Sequence, residues 1–481
     1  MDVIVVGAGS AGSVVARRLV DAGATVTLLE AGGADVNPAI HDPARAGELW
    51  HGPEDWDFRT VPQPHAANRR LHLPRGKVLG GSHALNAMIW VRGAAADYDG
   101  WGLPGWRWDD VRPMFERIEK DLLEVVPNEP LHPIQRSIMA AAQEIGLPVN
   151  TDYNAGELDG VSVEQITTRG GRRLTTWLAY GQPVAERMTV HTGALVHRLR
   201  VAGSRVVGVA VEIDGGLRDL SADLVVLAAG ALASPAILLR SGIGPANELA
   251  TLGIDVVADL PGVGRNLHDH LLSPVIFATD RREVAPPVAG RSVTQTHLFW
   301  RSRPGLAVPD TQPIHFSVPM YEPWMTGPAT GFSLMAGMVT PASRGSLRLS
   351  GPDASDEPLI DLAALTEAAD LESLVASVEQ CRAIGRAPAL AQEWGARELY
   401  PETGDDVRDY VRRTAITYHH QVGTCRMGDD AESVVDPTLA VHGLSGLRVA
   451  DASVLPRVTT GNTNAPAVLV GEQAATFILR D

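Results

Sequence analysis

The sequence predicts an α/β fold with a parallel sheet at its core, on three observations. The first is the stretch from Met1 to Gly33. Asp2-Val3-Ile4-Val5-Val6 is apolar and β-branched, and it ends in Gly7-Ala8-Gly9-Ser10-Ala11-Gly12. A helical pattern follows, with Val14, Val15, Leu19 and Val20 on one face and Arg17, Arg18 and Asp21 on the other. Gly23 stops that helix, and the second apolar run, Ala24-Thr25-Val26-Thr27-Leu28-Leu29, ends on Glu30. The second observation is Leu224-Val225-Val226-Leu227, a fully apolar run before Ala228-Ala229-Gly230. A strand buried on both faces returns to the parallel sheet beside the first one. The sheet is therefore discontinuous in sequence, with inserts between its strands. The third is alternation: Thr189 to Thr192, Ala194 to Val196 and Val206 to Ile213 read as antiparallel strands inside such an insert.

Strand, glycine turn, helix, strand and acid together make a dinucleotide-binding βαβ unit. Gly7 allows the tight turn. Gly9 has no Cβ, so a pyrophosphate approaches the backbone of Ser10 and Ala11. Gly12 lets the helix pack close to the strands. The helix N-terminus offers free N–H groups and positive dipole to phosphates. Glu30 lies 23 residues after Gly7, near the expected spacing of about 20. There it accepts hydrogen bonds from ribose hydroxyls, with Ala31 beside it, and repels a 2′-phosphate, which argues against NADP. The motif by itself does not separate FAD from NAD, nor exclude a glycine turn of another α/β protein.

Bulk properties narrow the class. The chain has 481 residues, 45% apolar and 20% charged, enough for two or three globular domains. A formal net charge of −16 repels phosphate backbones and argues against nucleic-acid partners. The longest nearly apolar run, Leu224 to Leu239, is broken by Gly230, Ser234 and Pro235; it falls short of the roughly 18 residues a membrane span needs. A strand starting at residue 2 leaves no room for a signal peptide, and two cysteines, Cys381 and Cys425, imply no disulfide framework. A cytoplasmic protein is the expectation.

Residues 34 to 75 read as an irregular connection containing Trp50, Trp56 and Pro62-Gln63-Pro64. From Arg75 to Trp90 the pair Gly80-Gly81, small residues and an apolar run suggest backbone lying against a flat ligand. Asp97 to Gly105 is loop-like, and Trp108 to Ile118 and Ile134 to Ile145 read as helices.

At this point the chain resembles a family. Gly76 to Asn86 and Gly230 to Gly244 look like the two signatures of the glucose–methanol–choline (GMC) oxidoreductases. Pro261 to His270 resembles the segment closing that family's FAD half, and Thr417 to Gly428 and Asp451 to Gly471 resemble its C-terminal active-site segments. The resemblance implies FAD, and a second, α+β domain whose mainly antiparallel sheet roofs the flavin. It implies an FAD-binding half with inserts over 1–271, a substrate-binding domain over 272–430, and a return to the FAD domain and active site over 431–481. Strand candidates for the second domain are Val275 to Thr279, Thr294 to Trp300, Ile314 to Val318, Ser333 to Thr340 and Ser346 to Leu349. Its helix candidates are Leu365 to Arg386 and Asp405 to Arg413. The implied FAD contacts are Gly7, Gly9, Ser10, Ala11, Gly12, Glu30, Ala31, Val78, Gly81, Asn86, Ala87, Met88, Ile89, Val196, Asp451, Ala452, Asn462 and Thr463.

The resemblance also implies the chemistry. His419, after Tyr418, maps onto the catalytic histidine, while His420 stands where the family usually has proline. Asn464 maps onto the second catalytic position, suits an N-cap, and opens an apolar helix with Pro466 in its first turn. That helix is expected to aim its positive end at the flavin's pyrimidine edge. His419 accepts the hydroxyl proton of a primary or secondary alcohol, Asn464 orients the oxygen, and hydride passes to flavin, giving aldehyde or ketone. The electron acceptor is oxygen or a quinone-like carrier. The alternatives are a non-redox enzyme like the hydroxynitrile lyases, which share the fold, and an NAD-binding or structural protein.

Lesser features follow the same logic. Some members attach FAD through a histidine at the position of Leu85, so FAD is expected to be non-covalent, with His83 a weaker attachment point. His268-Asp269-His270 reads as structural rather than metal-binding, and Cys425 as a packed side chain. The segment Asp121 to Pro133 is short for the family, which suggests an entrance near Pro127 to Pro133.

Overall fold

Five parallel strands form the first sheet, in the order Leu447–Val449, Leu224–Leu227, Asp2–Val6, Thr25–Leu29, Thr189–His191, in a computed structural model that describes residues 1–480. The register pairs Val5 with Val226 on one side and with Leu28 on the other. Its central strands are buried, as expected of a parallel sheet with both faces covered. The helix Gly12–Asp21 buries Val14, Val15, Leu19 and Val20 and exposes Asp21, as the sequence pattern requires. The C-terminal helix Asn464–Ile478 packs against it.

One sequence reading fails here. Thr189–His191 is not antiparallel; it is the parallel edge strand, paired through Thr27 and Thr189. A three-residue strand carries no local mark of its partner's direction. The following strands, Leu195–Ala202, Arg205–Ile213 and Gly216–Ser221, do form an antiparallel sheet of their own.

The second large sheet is antiparallel, in the order Ala396–Tyr400, Leu271–Thr279, Phe332–Met338, Ile314–Phe316, Thr294–Phe299, Gly160–Val163, with Ile416–Thr417 also on Leu271–Thr279. Its outer strand Gly160–Val163 comes from the N-terminal part of the chain. Ser346–Arg348 does not join it and pairs instead with Leu359–Asp361. The long helix Ala368–Arg386 packs against Phe332–Met338, and Val407–Thr414 packs against that helix. Helices also occupy Trp108–Asp121 and Pro133–Glu144, while the short helix Ala95–Asp99 runs into the start of the segment Asp97 to Gly105 expected to be loop. Among the described residues, no helix is long and apolar enough to cross a membrane.

Candidate active site

A cavity of about 620 Å³ runs between the two sheets, within the range of cofactor and ligand pockets. Its floor is the glycine turn. A Cβ on Gly12 would sit 1.9 Å from the Gly7 carbonyl oxygen, so the helix is as close to the strand as backbone allows. Gly81, at φ +53°, brings the second glycine pair onto the first: a Cβ there would lie 2.7 Å from Gly9 Cα. Gly7, Gly9, Ser10, Ala11 and Gly81 line the cavity.

Glu30 stands at the far end of this floor, buried. It accepts hydrogen bonds from Ala8 N–H (3.0 Å) and Gly32 N–H (2.8 Å). A carboxylate has about four lone-pair sites, so two remain for a ribose. Burial pushes its carboxyl up to about 7, against those two amides and Lys77. Ala31, Val196, Asn86, Ala87 and Ile89 also line the cavity. Gly12, Val78 and Met88 do not; Gly12 faces the Gly7 carbonyl and Ala228 instead. Val78 lies behind the cavity, bridging Gly33, and Met88 is buried at φ +64°, its N–H held by Asn86 Oδ1 (2.8 Å). Asn86 is fixed in turn by the fully buried Arg173.

Asp451 and Ala452 reach the cavity wall, but the Asp451 carboxylate is already engaged. It accepts from Gly230 N–H (2.9 Å), Ser234 Oγ (2.6 Å) and Ser453 N–H (2.8 Å). It thereby seats the start of the helix Gly230–Arg240, which with the preceding Ala228 and Ala229 forms part of the wall.

The adjacent histidines diverge. The strand before them is held by Tyr418 N–H on the His270 carbonyl (2.9 Å), and the chain after them by Val422 N–H on the His268 carbonyl (3.1 Å). Between these anchors His419 adopts φ +67°, a conformation that costs a non-glycine residue about 1–3 kcal/mol. Two buried groups hold it there. Arg75 Nη2 donates to the His419 carbonyl, and Asp269 Oδ1 accepts from His420 N–H (2.7 Å). Asp269 also accepts from Gln421 Nε2, and burial pushes its carboxyl up to about 7. His268 is committed on both ring nitrogens, Nδ1 to the Asn266 carbonyl (2.6 Å) and Nε2 to Val458 N–H (3.0 Å).

Consequently the two imidazoles meet different partners. His419 packs edge-on against Trp50, with centroids 5.2 Å apart, and its Nδ1 lies 2.6 Å from Thr417 Oγ1. His420 stacks on Tyr418 at 4.6 Å. Its Nδ1 is 3.0 Å from His270 Nδ1 and its Nε2 is 3.3 Å from Asn462 Nδ2. Asn462 Oδ1 accepts from Gln312 Nε2 (3.0 Å), which turns the amide nitrogen towards His420. An amide nitrogen only donates, so His420 Nε2 carries the lone pair and Nδ1 the proton. Burial, with His270 and His419 close by, holds His420 well below the usual histidine value. His419 and His270 are each lowered to about 3, again chiefly by burial. All three rings are neutral near pH 7.

His419 and Asn464, the pair expected from sequence, both line the cavity but share no hydrogen bond. Asn464 is the first residue of its helix rather than its N-cap; Thr463 holds the cap position, without a side-chain cap bond. Asn464 Oδ1 accepts from Ser10 Oγ (2.6 Å), tying the C-terminal helix to the glycine turn. Its Nδ2 is buried without a protein partner, as is Arg75 Nε. Two orphaned donors on residues that line the same cavity as the glycine cradle fit a polar, anionic cofactor such as FAD. The structure thus pairs His420 with Asn462 where the sequence reading placed His419 with Asn464. The sequence marks Asn462 only as a cofactor contact and does not mark Gln312, Arg75 or Trp50 as site residues. Gln312 lies in a short polar stretch with no motif, so no local signal identifies it.

The expected entrance near Pro127 to Pro133 is absent. No residue of 121–133 lines the cavity, and Val125–Pro127 is paired with Gln165–Arg169.

Comparison with known proteins places this geometry. The GMC oxidoreductase family matches residues 1–272 and again residues 341–471. An alcohol dehydrogenase [acceptor] of Pseudomonas putida is 34% identical over 100% of this chain and 96% of its own. A pyridoxine 4-oxidase of Microbacterium luteolum is 35% identical over 99% of both chains. The crystal structure of pyridoxine 4-oxidase from Mesorbium loti superposes with a TM-score of 0.95 at 34% identity, covering 100% of this chain and 99% of that one. Cradle, roofing sheet and full-length likeness agree: this chain is an oxidoreductase belonging to the FAD-binding GMC family.

Proposed function

We propose that the protein oxidises a primary or secondary alcohol to the aldehyde or ketone, with His420 as the base and Asn462 as its partner on the substrate oxygen. The observation that carries this is the 3.3 Å contact between His420 Nε2 and Asn462 Nδ2 at the wall of the cavity that holds the glycine cradle. FAD, when bound, supplies the hydride acceptor. The protein's own work is proton handling and orientation. A hydroxyl inserted between Nε2 and Nδ2 gives its proton to the former and accepts a hydrogen bond from the latter. His270 receives the Nδ1 proton's hydrogen bond and so fixes the tautomer, while Gln312 fixes the amide. Asp269 and Arg75 hold the strained turn that points the ring inward.

The helix Asn464–Ile478 opens onto the cavity at Asn464, and its first intrahelical bond runs from Ala467 N–H to the Thr463 carbonyl (3.1 Å), which leaves the N–H groups before it unpaired within the helix. They are suited to stabilising negative charge on the reduced cofactor. Non-covalent FAD is supported by Leu85 at the cavity wall and by His83, whose nitrogens are taken by Thr167 Oγ1 (2.8 Å) and Thr176 N–H (3.2 Å). The test is an anaerobic titration of the yellow holoenzyme with alcohols. Bleaching is expected, and readmitting air distinguishes an oxidase from a dehydrogenase. Failure of every alcohol to bleach the flavin overturns the reading. Acid precipitation is expected to leave the yellow colour in the supernatant.

A further inference from the structure

The cavity is chemically asymmetric. Apart from the histidines and Tyr418, its ionisable residues are Glu30, Arg75, Arg240 and Asp451. Glu30 and Asp451 sit on the nucleotide cradle, and Arg240 is bound to the His197 carbonyl beside it. Arg75 is used on the turn at His419. Beyond His420 and Asn462 the wall is made by the antiparallel sheet. Leu272, Ile314 and Met335 are adjacent on neighbouring strands, with Ile416 paired to Leu272, and Phe316 and Tyr418 complete the face. Thr294 and Ser292 reach this end, yet Thr294 Oγ1 donates to the buried Glu164 (2.6 Å) and Ser292 Oγ accepts from Thr294 N–H (3.3 Å). The Tyr418 hydroxyl is likewise engaged, by the Gln312 carbonyl (3.2 Å).

From this lining we infer that the substrate is an uncharged alcohol with an apolar alkyl or aryl body, and that quaternary-ammonium alcohols and sugars are poor substrates. The inference rests on the proposed alcohol oxidation and goes beyond it by naming the substrate class. His420 with Asn462 satisfies one hydroxyl, and the unpartnered Gln421 Oε1 and Asn464 Nδ2 on the cavity lining can meet at most one or two more polar groups. A sugar brings several more that this wall leaves unpaired. A quaternary ammonium brings a charge that no carboxylate on the substrate face offsets. An alkyl chain gains instead from each methylene it removes from water, which amounts to about fourfold in kcat/KM per added CH₂.

The test uses the flavin-loaded enzyme and a dye acceptor, comparing 1-propanol to 1-octanol, benzyl alcohol, choline and glucose. The expected result is a rise of about fourfold per methylene over the first members. Choline and glucose should fall at least about 10²-fold below 1-hexanol. A flat chain-length series, or choline or glucose matching 1-hexanol, overturns the substrate class while leaving alcohol oxidation intact. No turnover or bleaching with any compound overturns both. Phe316→Ala, on the half-buried rim of the wall, is expected to lower kcat/KM for 1-octanol by about tenfold and for 1-propanol by less than about threefold. Equal losses for both would count against contact with the chain.

Discussion

Replacing His420 tests the site most directly. His420→Gln removes the ring nitrogen that holds a lone pair against Asn462 Nδ2 at 3.3 Å, while keeping a polar group in a buried position. General-base assistance accounts for about 10²–10⁴ in rate, or about 2.7–5.4 kcal/mol of barrier. The loss should fall on the rate of flavin bleaching by a saturating alcohol, measured anaerobically by stopped flow, with the flavin still bound. His419→Ala removes a ring packed on Trp50 and bonded to Thr417, but leaves the carbonyl that Arg75 holds. It is expected to change the bleaching rate by no more than about tenfold. His420→Ala is a harsher variant, because it strands His270 Nδ1 and Asn462 Nδ2 at about 1–3 kcal/mol each. Melting temperatures of all three variants separate folding loss from chemical loss. If His420→Gln bleaches at the wild-type rate while His419→Ala does not, the reasoning from tautomer and geometry is wrong.

Three further outcomes follow from the same structure. Gly81→Ala puts a Cβ 2.7 Å from Gly9 Cα at φ +53°; purified protein should be mostly colourless and destabilised by about 1–3 kcal/mol, read by flavin absorbance and thermal unfolding. Glu30→Gln keeps one acceptor but loses the other and places an amide against main-chain N–H groups; FAD affinity is expected to fall about tenfold or more by flavin-fluorescence titration. Stability should also fall on acidification. His83, His268, His270, His297, His315 and His419 are held at about 3 by burial, below their unfolded value of about 6.5. The unfolded chain therefore binds protons first, and stability is lost as pH falls from about 6.5 towards 3. Glu30, Asp269 and Glu164, raised to about 7, 7 and 8, act with the opposite sign. They favour the fold as pH falls, but only until unfolded carboxylates protonate near 4. The steepest drop in melting temperature is expected below about pH 4.5; a melting temperature unchanged from pH 7 to 3.5 would refute this account.

Local chemistry made the nucleotide unit legible. The glycine spacing, the amphipathic helix and the acid at the end of the second strand act within thirty residues of one another, so short-range geometry suffices to read them. Leu224–Leu227 is legible for a different reason: four apolar residues in a row before a glycine suit a strand covered on both faces. The edge strand Thr189–His191 was misread because its direction is set by a partner some 160 residues away. The entrance was misplaced because a segment's length does not say what packs over it; Val125–Pro127 is closed by its own partner strand.

The sequence alone determined a glycine-cradled parallel sheet, an acidic residue at the end of its second strand, an antiparallel roof, and two neighbouring histidines in the C-terminal segment. Only the tertiary structure decided which imidazole stands against which asparagine. Adjacent side chains are equivalent in a string of letters. What separates His419 from His420 is a left-handed backbone turn held by Arg75 and Asp269, and what selects Asn462 over Asn464 is that Ser10 engages one and Gln312 turns the other. These restraints come from residues hundreds of positions apart, and a hydrogen bond forms only where the fold brings donor and acceptor within about 3 Å.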